Sequence, residues 1–110
     1  MIKILLDECL PKKLKYRIED LDPDFFVNTT PEKGWASLSN GELLEVSENE
    51  FDVFITSDKN LSFQQPFSSS SIQIVLLKAK TNTYEDLLPQ VEKLTSVIKE
   101  HEPGKFLEID

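Results

Sequence analysis

Ile2–Lys3–Ile4–Leu5–Leu6–Asp7–Glu8–Cys9–Leu10–Pro11 decides the fold. Ile4, Leu5 and Leu6 are apolar at consecutive positions, so the run reserves no face for water. A strand over Ile2–Leu6 built this way is covered on both sides. Two acids end it abruptly. Pro11 then suits the first turn of a helix, where its missing N–H costs nothing. Leu10, Leu14, Ile18 and Leu21 fall at helical spacing, with Lys12, Lys13, Lys15 and Arg17 on the other faces, so a helix is expected over 10–21.

Working outward, Asp22–Pro23–Asp24 reads as a turn and Phe25–Thr29 as a second strand. Residues 30–38 read as a loop punctuated by Pro31 and Gly34, with Trp35 as an aromatic anchor. Ser39–Asn40–Gly41–Glu42 matches the Ser-x-x-Glu capping box and starts a helix with Leu43, Leu44 and Ser47 on one side. Val53–Thr56 is the next short strand. Residues 57–71 read as a loop with four serines at its end, and 72–77 as another strand. Asn82–Thr83–Tyr84–Glu85 is a second capping-box match, heading one long amphipathic helix marked by Leu87, Leu88, Val91, Leu94, Val97 and Ile98. Residues 105–109 read as an edge strand whose direction is open, antiparallel included. The alternation predicts an α/β fold with a mainly parallel sheet and helices on both faces. A chain of 110 residues makes this a single domain, 1–110.

Charge narrows the function. Twelve basic residues against twenty acidic ones leave a formal charge of −8, which excludes a basic DNA-coating protein. It does not exclude an enzyme that meets phosphates through a cation. One Cys and one His exclude both an internal disulfide framework and a structural zinc site of Cys/His type, so any metal is held by oxygen. No segment approaches the roughly 20 apolar residues of a membrane span. The apolar start is cut by Asp7–Glu8 before a signal peptide could form, so a cytoplasmic protein with no membrane association is expected.

In parallel α/β sheets ligands bind outside the carboxyl ends of the strands, near a switch in strand order. Asp7 and Glu8 end the first strand, Asp58 follows the third, and Glu42 lies in the first turn of the helix before it. Carboxylates converging from such distant positions suit a hard cation such as Mg²⁺. Each also has a structural reading: Glu42 as a helix cap, Glu8 as a partner for a helix dipole, Asp58 as a turn former. Asp7 is the hardest to explain away, because an acid directly after a buried strand is expensive unless paired. Cys9 reads as a small buried hydrophobe rather than a nucleophile, and His101 as a helix-end residue.

Ile4–Leu5–Leu6–Asp7–Glu8–Cys9–Leu10–Pro11, Gly34–Trp35–Ala36, Asn40–Gly41–Glu42–Leu43–Leu44, Phe51–Asp52–Val53–Phe54–Ile55–Thr56–Ser57–Asp58–Lys59–Asn60–Leu61 and Gln64–Gln65, in this order, resemble the DUF5615 group of PIN-like proteins. The resemblance implies a three-layer α/β/α PIN-like fold and a Mg²⁺- or Mn²⁺-dependent ribonuclease. It further implies a toxin of a toxin–antitoxin pair, with RNA as substrate, an antitoxin-like protein partner, and room for a homodimer. Carried over, Asp7, Glu42 and Asp58 are the catalytic and metal-holding acids. Glu8, Lys59, Asn60 and Lys12 stand in the second shell or against substrate. The chain departs from the group's Asp-Glu-Asn-Leu-Pro pattern at Cys9, and no acid follows Asp58 across 59–65. That departure favours the alternative, a non-catalytic PIN-like module that binds RNA or a protein. A phospho-acceptor receiver domain places its acids similarly but lacks support here, because its usual Lys-Pro is missing.

Overall fold

A computed structural model describes residues 1–58, 72–100 and 106–109. Among these residues, five strands and four helices follow in the order β1 (Ile2–Leu6), α1 (Lys13–Leu21), β2 (Phe25–Thr29), α2 (Asn40–Ser47), β3 (Val53–Thr56), β4 (Gln73–Leu77), α3 (Tyr84–Val91), α4 (Leu94–Lys99) and β5 (Phe106–Ile109). The strands form one sheet in the order β2-β1-β3-β4-β5, and every pairing is parallel. The three strands richest in consecutive apolar residues, β1, β3 and β4, occupy its interior, as their lack of a polar face requires.

Strand alternation divides the core into two layers. Ile4, Leu6, Val53, Ile55, Val75 and Leu77 face one side, where Leu14 and Ile18 of α1, Leu87 and Val91 of α3, and Leu94 and Ile98 of α4 cover them. Leu5, Phe54 and Ile74 face the other, against Leu43 and Leu44 of α2 together with Phe51 and Ile72. The result is a three-layer α/β/α domain. The connection through α1 carries the chain from β1 to β2 on one side, and the connection through α2 returns it past β1 to β3 on the other. The strand order therefore reverses between β1 and β3, the crevice where such sheets bind ligands.

The sequence reading needs correcting at three places. Helix α1 starts at Lys13, not Leu10, because the residue before a proline is disfavoured in helical geometry; Pro11 instead offers its carbonyl to the Leu14 N–H at 3.0 Å. The expected single helix after β4 is two. Pro89 removes a donor inside α3, and the chain tightens to a three-residue turn where the Lys93 N–H reaches the Gln90 carbonyl. The second cap is Thr83, not Asn82, its hydroxyl accepting from the Asp86 N–H. The direction of β5, left open by its residues, is parallel to β4.

Candidate functional site

At the carboxyl ends of β1 and β3, at the reversal in strand order, a pocket of about 440 Å³ opens. Asp7, Glu8, Cys9, Ser57, Asp58 and Asn82 give it a polar lining, and Trp35, Leu38 and Leu43 an apolar one, with Thr30 between strand β2 and the loop after it. Asp7 and Asp58, far apart in sequence, thus share one cavity.

A single hydroxyl ties the two acids together. Thr56 is fully buried at the end of β3. Its Oγ1 donates to Asp7 Oδ2 at 2.7 Å and accepts from the Asp58 N–H at 3.0 Å. Asp7 Oδ1 accepts from the Glu8 N–H at 2.8 Å, and Oδ2 lies 3.4 Å from the Cys9 thiol. Asp7 is therefore an acceptor for three donors from two strand ends, which answers the cost of placing an acid after a buried strand. Ser57 donates from Oγ to Asn82 Oδ1 at 2.8 Å, tying the exit of β3 to the loop before α3. Because Thr83 takes over the capping of α3, Asn82 is left to the pocket.

Cys9 lies 3.3 Å from Ser57 Oγ. Burial pushes its thiol pKa up and the nearby Asp7 charge adds to the rise, partly opposed by the Ser57 hydrogen bond. The raised pKa keeps it a protonated thiol at neutral pH rather than an activated nucleophile.

Glu42 is not brought into the pocket. Its Oε1 accepts from the Ser39 hydroxyl at 2.9 Å and the Ser39 N–H at 3.2 Å, completing the capping box. These two hydrogen bonds, the side-chain one foremost, hold its carboxyl below the ordinary glutamate range. Glu8 lines both the main pocket and an adjoining cavity of about 270 Å³, which Lys12 and Glu32 also line. Lys15 pairs with Glu32 at 2.9 Å and Arg17 with Glu92, so part of the basic cluster on α1 is matched by acids. Lys59 and Asn60 lie outside the described residues, as do Phe63, Gln64, Gln65 and His101.

The donor set suits a hard cation. Mg²⁺ commonly takes one or two carboxylates and completes its shell with waters and substrate phosphate rather than an all-protein cage. Asp7 and Asp58 fit that pattern with oxygen donors. Among the described residues, no three Asp, Glu, His or Cys side chains are grouped closely enough to hold a metal by themselves. No helix among the described residues is long and apolar enough to cross a membrane.

Sequence reasoning missed Thr56, Ser57, Asn82 and Thr30. The hydroxyl two residues before Asp58 is a local signal, since Thr and Ser bond the backbone two positions on. Asn82 carried none, because its role depends on a contact with Ser57.

The fold defines a doubly wound parallel α/β domain with an acid-lined pocket at its switch point. No protein family, no curated protein and no solved structure matches this chain.

Proposed function

We propose that this domain is a Mg²⁺- or Mn²⁺-dependent ribonuclease of PIN-like type, with Asp7 and Asp58 as the metal-holding carboxylates. The supporting observation is that these two acids line one pocket at the reversal of strand order and are positioned by the same Thr56 hydroxyl. A bound divalent cation would polarise a phosphoryl oxygen and lower the pKa of a water nucleophile. The chain's own residues do the positioning. The Glu8 N–H, the Thr56 O–H and the Cys9 S–H fix the Asp7 carboxylate, and Oδ1, with one of these donors, keeps a second acceptor site for a cation. Ser57 engages Asn82 Oδ1, which leaves the Asn82 amide N–H₂ as a donor for a phosphate oxygen. Lys12, in the adjoining cavity, is the nearby cation for the RNA backbone.

Incubating a fluorophore-labelled RNA with the protein in Mg²⁺, Mn²⁺ or EDTA tests this reading. Cleavage is expected only with metal and is lost in both Asp7→Asn and Asp58→Asn. Cleavage that persists in EDTA or in either variant overturns it. The second reading, a module that binds without cutting, is favoured by the engagement of Glu42 with Ser39, outside the pocket. It predicts RNA or protein binding with no cleavage under any metal condition.

A further inference from the structure

We infer that the outer edge of β5 is an interface between two copies of this chain. The two β5 strands pair antiparallel about Leu107 and join the five-stranded sheets of both copies into one.

The two edges of the sheet are treated differently. On β2, the Asp24 carbonyl and the Thr30 N–H turn toward β1, so Phe25, Val27 and Thr29 turn their backbone groups outward. Each of these outward N–H groups is taken within the chain. Phe25 donates to the Asp22 carbonyl at 3.1 Å, Val27 to Glu19 at 3.3 Å and Thr29 to Glu32 at 2.9 Å. An incoming strand finds no donor there. On β5, the Ile109 carbonyl accepts from the Lys78 N–H at 2.8 Å, so Leu107 and Ile109 turn toward β4 while Phe106 and Glu108 turn outward. Among the described residues, none bonds the outward N–H and C=O groups of Phe106 and Glu108. An unpaired edge is a template for a further strand, and parallel sheets commonly take an antiparallel strand at their edge.

A second copy fits because this edge is its own complement. With a two-fold axis at Leu107, Phe106 of one copy lies opposite Glu108 of the partner subunit, and the reverse. Both are then hydrogen-bonded pairs, each exchanging N–H···O=C bonds in both directions, so every outward group is satisfied. Leu107 falls on the axis as the non-hydrogen-bonded pair, where side chains come closest and Cα atoms are about 4.5 Å apart. Leu107 is half-buried and, unlike its strand neighbour Ile109, stands outside both core layers. The same leucine of the partner subunit covers it. Local charge permits the pairing, because Glu108 is matched by Lys78 at 3.3 Å. The formal −8 of each copy repels only at longer range, where salt screens it. The pocket lies at the ends of β1 and β3, with β4 between it and this edge, so pairing leaves it open.

Sedimentation equilibrium over a concentration series should show the mass rising from one chain toward two, with a Kd below roughly 1 mM. Added NaCl should tighten the dimer, because it screens the repulsion between two acidic copies. Leu107→Lys sets like charges across the axis and should raise the Kd about tenfold or more. Its melting temperature in dilute solution should match wild type, since Leu107 belongs to neither core layer. Glu108→Pro removes an outward donor that β4 does not use and should likewise weaken the dimer. Leu107→Cys should oxidise to a disulfide-linked dimer, because its Cα separation across the axis suits the bond. Glu108→Cys, set opposite Phe106, should link far less, and wild type controls for Cys9. Wild type that keeps the mass of one chain up to about 1 mM overturns the second copy as occupant and leaves the edge to a strand of another protein. A dimer unmoved by Leu107→Lys and Glu108→Pro lies on another face and overturns the interface. One that loosens in salt is held by charge and overturns it too. Equal cross-linking of Leu107→Cys and Glu108→Cys overturns the register.

Discussion

Asp7→Asn removes one charge and nearly preserves shape, and the structure gives its cost. The asparagine oxygen can take over the Glu8 N–H bond and its amide can donate to Thr56 Oγ1, although the Thr56 hydroxyl proton then loses its carboxylate acceptor. What disappears is the charge assistance in two short bonds, 2.8 Å and 2.7 Å. Hydrogen bonds to ionised groups are worth about 1 kcal/mol more than neutral ones, so the gross loss is about 2 kcal/mol. Relief of repulsion from Glu8 and Asp58, both at the same pocket, offsets under about 1 kcal/mol. The net loss, between about 1 and 2 kcal/mol, lowers the Tm by roughly 4–8 °C in a domain of this size. Saturating Mn²⁺ acts in the opposite direction: at a hundred times its Kd it adds about 2.7 kcal/mol to wild type and almost nothing to the variant. Melting curves of both proteins, with and without Mn²⁺, read the two effects separately. A metal-free variant that melts at or above wild type refutes the role of Asp7 as the hydrogen-bond centre of the site. An equal upward shift in both proteins on adding Mn²⁺ refutes its role as a ligand.

Asp7→Asn should also speed Cys9 modification by a disulfide reagent near neutral pH, because it removes a charge that raises the thiol pKa; an unchanged rate contradicts that coupling. Ser39→Ala should cost about 1 kcal/mol through loss of the α2 cap. Glu42→Gln, which preserves the capping box, should leave Mn²⁺ binding by calorimetry unchanged; a large loss would return Glu42 to the metal site. The Lys15 hydrogen bond, then the Thr29 N–H, lowers the Glu32 carboxyl. Its stabilisation is therefore complete above the ordinary carboxylate range and fades as pH falls through the lowered value. Exposure limits this effect to under about 1 kcal/mol, and Glu32→Gln should flatten the acid limb of the stability–pH curve. On the outer edge of β2, Glu19 accepts from the Val27 N–H at 3.3 Å and Glu32 from the Thr29 N–H at 2.9 Å. Glu19→Ala with Glu32→Ala opens both donors to another strand, so light scattering should show more self-association than wild type; an unchanged mass contradicts this edge protection.

Local patterns carried most of the fold. The apolar runs at Ile4–Leu5–Leu6 and Val53–Phe54–Ile55 mark strands covered on both faces because a pleated strand exposes alternate residues to opposite sides, and both sides here are apolar. Ser39 and Glu42 identify their helix start because a capping box closes within one turn. The same spacing could not tell whether the Glu42 carboxylate stays with Ser39 or reaches a metal. The structure decided that, since the Ser39 hydroxyl and N–H both donate to it. Long-range pairing decided the rest. Thr56 reaches Asp7 across 49 residues and Ser57 reaches Asn82 across 25, contacts that exist only once β1 and β3 lie side by side. The direction of β5 likewise depends on its pairing with β4, not on its own residues. Sequence alone determined which residues are apolar, acidic and helix-starting, because those properties are local. Tertiary structure determined which acids share a cavity and what holds them there, because hydrogen bonds form between whichever groups the fold brings within about 3 Å.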